Sequence, residues 1–165
     1  MFGKQTQTAI PAMSRLAEVY DEGATRISAA DIAENRDLQR PIVAKILTVL
    51  SQANLVGGSP GPGGGYVLAR DPKEIALYDV FRLFEREDES VDCPYGGGVC
   101  GVGEPCALHD KLVHMQETVN NFMKKTTFEG FRIAFQDEHR KPTPKEEGMS
   151  VSQRKSYRAT RVKRW

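Results

Sequence analysis

The sequence predicts a mainly α-helical fold with one small β-hairpin and one long helix beyond it. Three observations support this: three apolar series with helical spacing near the start, a Gly- and Pro-rich run between two short apolar pieces, and a later seven-residue apolar repeat. A chain of 165 residues that is 39% hydrophobic can bury one modest core. This size excludes a large multidomain enzyme.

Three short helices are predicted before the hairpin. Ser28 lies three residues before Asp31, as in a capping box with Asp in place of Glu, and begins helix two. A polar break over 34–37 follows, and Pro41 suits the first turn of helix three. The apolar faces of helices one and three repeat in steps of three and four: Ile10, Met13, Leu16, Ala17 and Tyr20, ending at Gly23, and Ile42, Val43, Ile46, Leu47 and Leu50, ending near Asn54.

The hairpin is predicted from Leu55–Val56 and Tyr66–Leu68, which flank the Gly- and Pro-rich turn. Three helices followed by a hairpin predict a winged helix-turn-helix, in which helix three enters the DNA major groove and the hairpin lies along the backbone or minor groove. A fourth helix, begun by Asp71-Pro72, carries Leu77, Val80, Phe81 and Phe84. Residues 1–86 are therefore assigned to a DNA-binding domain.

Residues 108–135 are predicted to form a dimerisation helix and a short terminal helix that Thr127 begins. The long helix carries an apolar seam with heptad spacing: Leu108, Leu112, Met115, Val119 and Phe122. The sequence contains no second long helix to cover this seam, so its simplest partner is the same helix of a second chain. A symmetric homodimer also suits a palindromic double-stranded operator with two half-sites.

The remaining residues, 136–165, are predicted to form a basic, disordered tail without apolar periodicity. From Arg140 to Trp165 the chain has nine Lys and Arg residues against two Glu, although the net charge of the whole sequence is only +1. No window reaches the roughly 18 apolar residues that cross a bilayer, so we expect a cytoplasmic protein with no membrane partner.

All three cysteines lie in the predicted loop 87–107, which is rich in glycine, and Cys106 is near its end. An odd number in one loop is unlike a secreted disulfide scaffold and favours a metal or redox role. Thiolates hold iron–sulfur clusters, and glycine-rich backbone can offer N–H groups to the cluster sulfurs. Zinc is disfavoured because its structural ligands come in tight pairs. A disulfide switch and a catalytic Cys106–His109 pair are weaker alternatives.

The hairpin sequence GPGGGY and the cysteine loop that follows it together resemble the IscR/NsrR/RirA family of iron–sulfur transcription regulators, over about residues 1–135. The resemblance implies a homodimeric winged-helix repressor or activator, not an enzyme, whose DNA binding depends on an iron–sulfur cluster. The alternative function is a protein-interaction module, or a thiol- or zinc-based regulator, that kept the fold and weakened or lost DNA binding.

The resemblance also implies a ligand set. Three cysteines leave a cluster one ligand short, and the spacing from Cys106 to His109 is similar to that of the IscR branch. The implied ligands are Cys93, Cys100, Cys106 and His109, which favours a 2Fe-2S cluster, with 4Fe-4S as the alternative. A surface role for His109 would move the fourth ligand to Asp92, Glu104, Asp110 or the neighbouring chain's Gln7. We interpret His114 and His139 as solvated residues.

Candidate DNA contacts lie on helix three and on the hairpin, which we call the wing (residues 56–68). Gln39, Arg40 and Lys45 carry side chains of the types that reach base edges and phosphates, although the plain alternative is a solvated helix face. The family has a basic residue before GPGGGY, where this chain has Pro60. The hydroxyl or backbone groups expected to bind phosphate instead belong to Thr8, Ser59, Gly61, Gly63 and Gly64.

Overall fold

The computed structural model describes residues 3–85, 106–136 and 153. Within this part of the chain the elements are α1 (Lys4–Glu18), α2 (Ala29–Arg36), α3 (Arg40–Gln52), β1 (Val56–Ser59), β2 (Gly65–Leu68), a 3₁₀ turn (Pro72–Glu74), α4 (Leu77–Phe84), α5 (His109–Lys125) and α6 (Glu129–Gln136). The predicted fold class, helices with one small antiparallel hairpin, is confirmed.

Helix α1 begins six residues before Ile10, the first residue of its predicted apolar series, and includes Pro11. Arg36, at the end of α2, ties the two helices together. Its Nη2 lies 2.6 Å from Glu18 Oε1 and 3.1 Å from Ser14 Oγ, and its Nε donates a hydrogen bond to the Pro11 carbonyl at 3.2 Å. The Pro11 carbonyl therefore accepts from the Arg36 guanidinium as well as from the Ser14 hydroxyl, which donates to it at 2.8 Å.

Helices α2 and α3 form the predicted helix-turn-helix pair. Ser28 accepts a hydrogen bond from the backbone N–H of Asp31, and the Asp31 carboxylate accepts one from the N–H of Ser28, so the capping box is confirmed. The hydrogen bonds from Ser28 lower the pKa of the Asp31 carboxyl. The predicted break over 34–37 is too long, because α2 continues to Arg36 and the chain turns at Asp37, with φ 53°.

The buried face of α3 is formed by Val43, Ile46, Leu47 and Leu50. The prediction that Ile42 belongs to this face is wrong, because its side chain is 40% exposed. One residue before Val43, it lies about 100° around the helix from the buried face. Ile42 is therefore on the surface of α3, near its N-terminal end.

The wing is an antiparallel pair in which Val56 lies opposite Leu68 and Ser59 opposite Gly65. The free edge of β2 pairs with the segment before α2: Ile27 N–H donates to the Tyr66 carbonyl at 3.1 Å, and Tyr66 N–H donates to the Ile27 carbonyl at 2.8 Å. Gly65 has φ 154°, and a Cβ there would lie 2.8 Å from the Ile27 carbonyl oxygen. Glycine at this position therefore permits the close approach of the third segment.

Helix α4 does not begin at Asp71-Pro72, as predicted; these residues begin the 3₁₀ turn, with the Asp71 side chain accepting from the N–H of Lys73. The helix begins at Leu77, and the carboxylate of Asp79 accepts from the N–H of Ala76 at 3.0 Å. A separate turn is needed because Ile75 and Ala76 are extended and place Ile75 in the core.

The last two helices return to the first part of the chain. Met123 of α5 and Phe128, between α5 and α6, are buried in the same core as Met13, Leu16 and Val80. The Ile75 carbonyl accepts from the N–H of Phe128, and Leu77 N–H donates to the Thr126 carbonyl.

The division into units 1–86 and 108–135 stays a prediction, and residues from both share one core. Gln136 is helical, so the predicted tail begins too early by one residue; 137–152 and 154–165 lie outside the described residues.

In the part of the chain that the structure describes, none of the helices has the length and apolar composition of a membrane span.

Candidate DNA-binding surface and cysteine site

The N-terminal half of α3 presents an exposed face opposite the core. Gln39 precedes the helix and makes no side-chain capping bond, and Arg40 and Lys45 are exposed on its first two turns. Ala44 and Thr48 continue this face, and the Thr48 hydroxyl is bonded to the Ala44 carbonyl at 3.0 Å. Three residues, 37–39, separate α2 from α3, the turn length typical of a helix-turn-helix. The exposed face carries an amide and two cations, which can bind base edges and phosphates.

The tip of the wing is exposed to solvent. Gly61 and Gly63 are both exposed there, and both have positive φ. A Cβ on Gly64 would lie 2.2 Å from the Ser59 carbonyl oxygen, so a glycine is required there by the turn itself. The glycines of GPGGGY are therefore explained by hairpin geometry. Their backbone contacts with DNA remain a prediction.

Ser59 has a partner that sequence reasoning missed. Nη1 of Arg26 donates a hydrogen bond to the Ser59 hydroxyl at 2.9 Å. Arg26 immediately precedes Ile27, which pairs with β2, and its side chain is exposed. The only sequence signal is that Arg26 is the single basic residue between α1 and α2, and it has meaning only once the pairing of Ile27 with Tyr66 is known.

The phosphate contact of Thr8 stays a prediction, and the structure shows its hydroxyl bonded within α1. Its side chain is 9% exposed, and its hydroxyl donates to the Lys4 carbonyl one turn earlier at 3.0 Å. A threonine inside a helix commonly makes this bond to the carbonyl four residues before it. The hydroxyl is therefore directed into α1.

The two candidate ligands that the structure describes share one helical turn. Cys106 is half-buried, and its carbonyl accepts from the N–H of His109 at 3.0 Å, at the N-terminus of α5. Residues three apart in a helical turn lie on the same side. Asp110 is exposed in this turn, and His114 is exposed one turn later. Cys93, Cys100, Asp92, Glu104 and His139 lie outside the described residues.

Among residues 3–85, 106–136 and 153, no three His, Cys, Asp or Glu side chains come together as a metal site. Two of the three cysteines, Cys93 and Cys100, lie outside these ranges, and the ligand set stays a prediction. The donor chemistry of three thiols with an adjacent imidazole fits an iron–sulfur cluster. Zinc takes the same donor types, but its structural ligands usually come in tighter pairs than these.

Glu85 anchors the other end of the segment that leads to the cysteines, and sequence reasoning missed it within an acidic stretch. Its carboxylate accepts from the N–H of Gly3 at 2.6 Å and from the hydroxyl of Thr6, which is fully buried. Gln7, which is one of the alternatives to His109 as fourth ligand for a neighbouring chain, directly follows Thr6 and is exposed. Glu85, the last described residue before the cysteines, therefore lies beside the N-terminus of α1, and the described chain begins again at Cys106, just before α5.

The predicted seam of α5 is exposed. Met115 and Phe122 are 57% and 58% exposed, and Leu108 and Val119 are 38% and 37% exposed. Leu112 is half-buried. Large apolar side chains in a continuous row on a surface commonly mark a protein interface.

Comparison with known proteins gives a consistent match. Residues 2–131 match the model of the family Rrf2, described as "Iron-dependent Transcriptional regulator". The chain is 30% identical over 156 residues to BadM of Rhodopseudomonas palustris, named as an HTH-type transcriptional regulator, covering 94% of this chain and 96% of that protein. It is 29% identical over 119 residues to the HTH-type transcriptional regulator IscR of Serratia proteamaculans, covering 72% of this chain and 71% of IscR.

The fold is similar to that of CymR, described as the global cysteine regulator of B. subtilis. The two superpose with a TM-score of 0.68 at 23% identity, over 81% of this chain and 97% of CymR. At this identity the likeness shows the fold alone.

Proposed function

Because the chain belongs to the Rrf2 family of DNA-binding transcriptional regulators, we propose that it binds a palindromic operator as a homodimer and that an iron–sulfur cluster controls this binding. The protein acts on DNA in the cytoplasm, and a repressor is the favoured role. The observation that carries the DNA-binding part is the exposed N-terminal face of α3, where Gln39, Arg40 and Lys45 are directed away from the core.

The helix-turn-helix geometry supports insertion of this face into the major groove. A rigid α3 is needed for base recognition, and its buried face packs against α1 and α2 through Val43, Leu47 and Leu50. The wing begins four residues after α3 ends, so Ser59 and the backbone of Gly61, Gly63 and Gly64 are proposed to bind phosphates beside the groove.

The exposed seam supports the dimer. Leu108, Leu112, Met115, Val119 and Phe122 would pack against the same residues of a second α5. Two copies of α3, related by the two-fold axis of this dimer, would then contact two half-sites. Regulators that bind palindromes as dimers gain affinity because one interface positions both recognition helices.

We propose Cys93, Cys100, Cys106 and His109 as cluster ligands, with a 2Fe-2S cluster favoured over 4Fe-4S. When bound, such a cluster supplies a redox-active and chemically labile centre. Cys106 and His109 would fix it to the first turn of α5, which is the start of the dimer seam. Loss or oxidation of the cluster would thus act next to the surface that sets the spacing of the two α3 helices.

A second candidate is a regulator that senses cysteine or redox state through its thiols alone. The observation that favours this alternative is the sequence itself, which places three thiols between residues 93 and 106. Reversible oxidation of Cys93, Cys100 or Cys106 would then replace the cluster as the signal. Metal and sulfide analysis distinguishes the two candidates.

We expect the full chain, made and purified without oxygen, to contain iron and acid-labile sulfide in equal amounts and to absorb visible light. Cys106→Ala should lose the colour, because two thiolates and an imidazole hold a cluster poorly. The helical circular dichroism should remain, since the core of α1, α3 and α4 does not include Cys106. The measurement is iron, zinc and sulfide per chain together with the visible spectrum.

His114→Ala is the control. His114 is exposed on α5, about one turn further from Cys106 than His109 is. It should keep the full iron and sulfide content. One zinc per chain, with no sulfide, would contradict the cluster proposal in favour of a zinc site. Metal-free protein whose thiols form a disulfide on oxidation would support the thiol regulator instead.

A further inference from the structure

We infer that Arg26 provides the cationic DNA contact of the wing and binds a DNA phosphate from the segment that pairs with β2. This inference rests on the proposed DNA-binding function and adds a residue to it. It concerns a position outside the hairpin, thirty-three residues before Ser59 in sequence. Arginine suits the role because its guanidinium is permanently charged and offers several N–H donors.

The wing has no cation of its own. Between Asn54 and Ala69 the sequence contains no Lys or Arg, and a hairpin that lies along DNA without a cation contributes only neutral hydrogen bonds. Phosphate contacts from cations dominate the affinity of proteins for DNA. A cation is brought to the wing by Arg26, whose guanidinium binds the hydroxyl of Ser59.

The backbone holds Arg26 in place. Both hydrogen bonds between Ile27 and Tyr66 join its neighbour to β2, and the tight contact of Gly65 with the Ile27 carbonyl fixes the approach. On the other side, the hydroxyl and N–H of Thr25 bind the carboxylate of Asp21. Hydrogen bonds therefore hold the residues on both sides of Arg26, which reduces the entropy lost when it binds a phosphate.

The guanidinium is also not neutralised by the protein. Among the residues that the structure describes, Arg26 forms no ion pair, whereas Arg15, Arg36, Arg82 and Arg132 each have a carboxylate partner. The carboxylate of Asp21 accepts hydrogen bonds from Thr25, and these bonds lower the pKa of the Asp21 carboxyl. One Nη of Arg26 binds Ser59, and the other N–H groups of the exposed guanidinium are directed toward no carboxylate in this part of the chain.

The test is the dependence of operator affinity on salt concentration, measured by fluorescence anisotropy with wild type, Arg26→Ala, Arg26→Lys and Ser59→Ala. Each phosphate that a cation neutralises contributes about 0.9 to the slope of log affinity against log salt. Arg26→Ala should reduce the magnitude of this slope by about 0.9 per subunit. It should also weaken binding to the operator and to unrelated DNA by the same factor, roughly eightfold per subunit at 0.1 M salt. Arg26→Lys should retain the slope.

Two outcomes would overturn the inference. In the first, Arg26→Ala and the control Arg82→Ala, which removes an equal charge from α4, have the wild-type slope and affinity. In the second, Arg26→Ala and Ser59→Ala weaken binding equally without a change of slope, which would give Arg26 only a supporting role in the shape of the wing. Failure of the proposed function itself is distinct, because wild-type protein would then not bind the operator.

Discussion

Val119→Glu should convert the protein from a dimer to a monomer. Val119 lies in the middle of the exposed seam, between Met115 and Phe122, and is 37% exposed in the single chain. In the proposed dimer the new carboxylate would be buried against the partner's helix, and burial of an unpaired carboxylate costs several kcal/mol. We expect the dimer dissociation constant to rise at least about a hundredfold, which corresponds to about 2.7 kcal/mol.

Sedimentation velocity over a range of protein concentrations measures this change. Asn121→Glu is the matched control, because it adds the same charge to an exposed position two residues along α5 and outside the seam. It should remain dimeric. If wild type is already monomeric at concentrations that saturate DNA, or if Val119→Glu remains a dimer, α5 does not form the dimer interface.

Arg36→Ala should lower the free energy of unfolding by about 3 kcal/mol. The guanidinium lies between α1 and α2 with only 11% of its side chain exposed, and it binds Glu18, Ser14 and the Pro11 carbonyl. Its removal leaves Glu18 paired only with Arg15, at 3.2 Å, and removes the cation from the Pro11 carbonyl. Loss of one partner from a buried network is costly because the other groups stay desolvated.

Urea denaturation followed by circular dichroism gives the free energy of unfolding. Wild type and each variant should be compared at the same protein concentration. Arg82→Ala is the control, since Arg82 is 58% exposed and lies 3.8 Å from Asp79. Its loss should cost less than about 0.5 kcal/mol. Equal stability of Arg36→Ala and wild type would show that the contacts of Arg36 are solvent-screened and do not join α1 to α2.

The helices and the hairpin could be predicted because each has a local signal. The capping pair Ser28 and Asp31, Pro41 in the first turn of α3 and the glycines of the wing act on backbone within a few residues of themselves. The boundaries failed where a distant contact decides the outcome. α1 extends back to Lys4, where Glu85, 82 residues from Gly3, binds its first turn, and the 3₁₀ turn separates Asp71-Pro72 from α4 so that Ile75 reaches the core.

The candidate site was predictable to the same degree. The exposed positions of Gln39, Arg40 and Lys45 follow from the periodicity of the buried residues on α3. The bond of the Thr8 hydroxyl within α1 was not predictable in this way, and the DNA contact of Thr8 stays a prediction. Arg26 was missed because its contact with Ser59 depends on the pairing of Ile27 with Tyr66, and no local pattern encodes that long-range pair.

The central claim, control of DNA binding by a cluster held at Cys93, Cys100, Cys106 and His109, is tested most directly by operator affinity with and without the cluster. The DNA is the region upstream of the protein's own gene, and the samples are anaerobic holoprotein and the same protein after removal of iron and sulfide. We predict that the two dissociation constants differ at least about tenfold, or about 1.4 kcal/mol. Equal, tight binding by both forms, with an intact cluster in the first, would contradict the account.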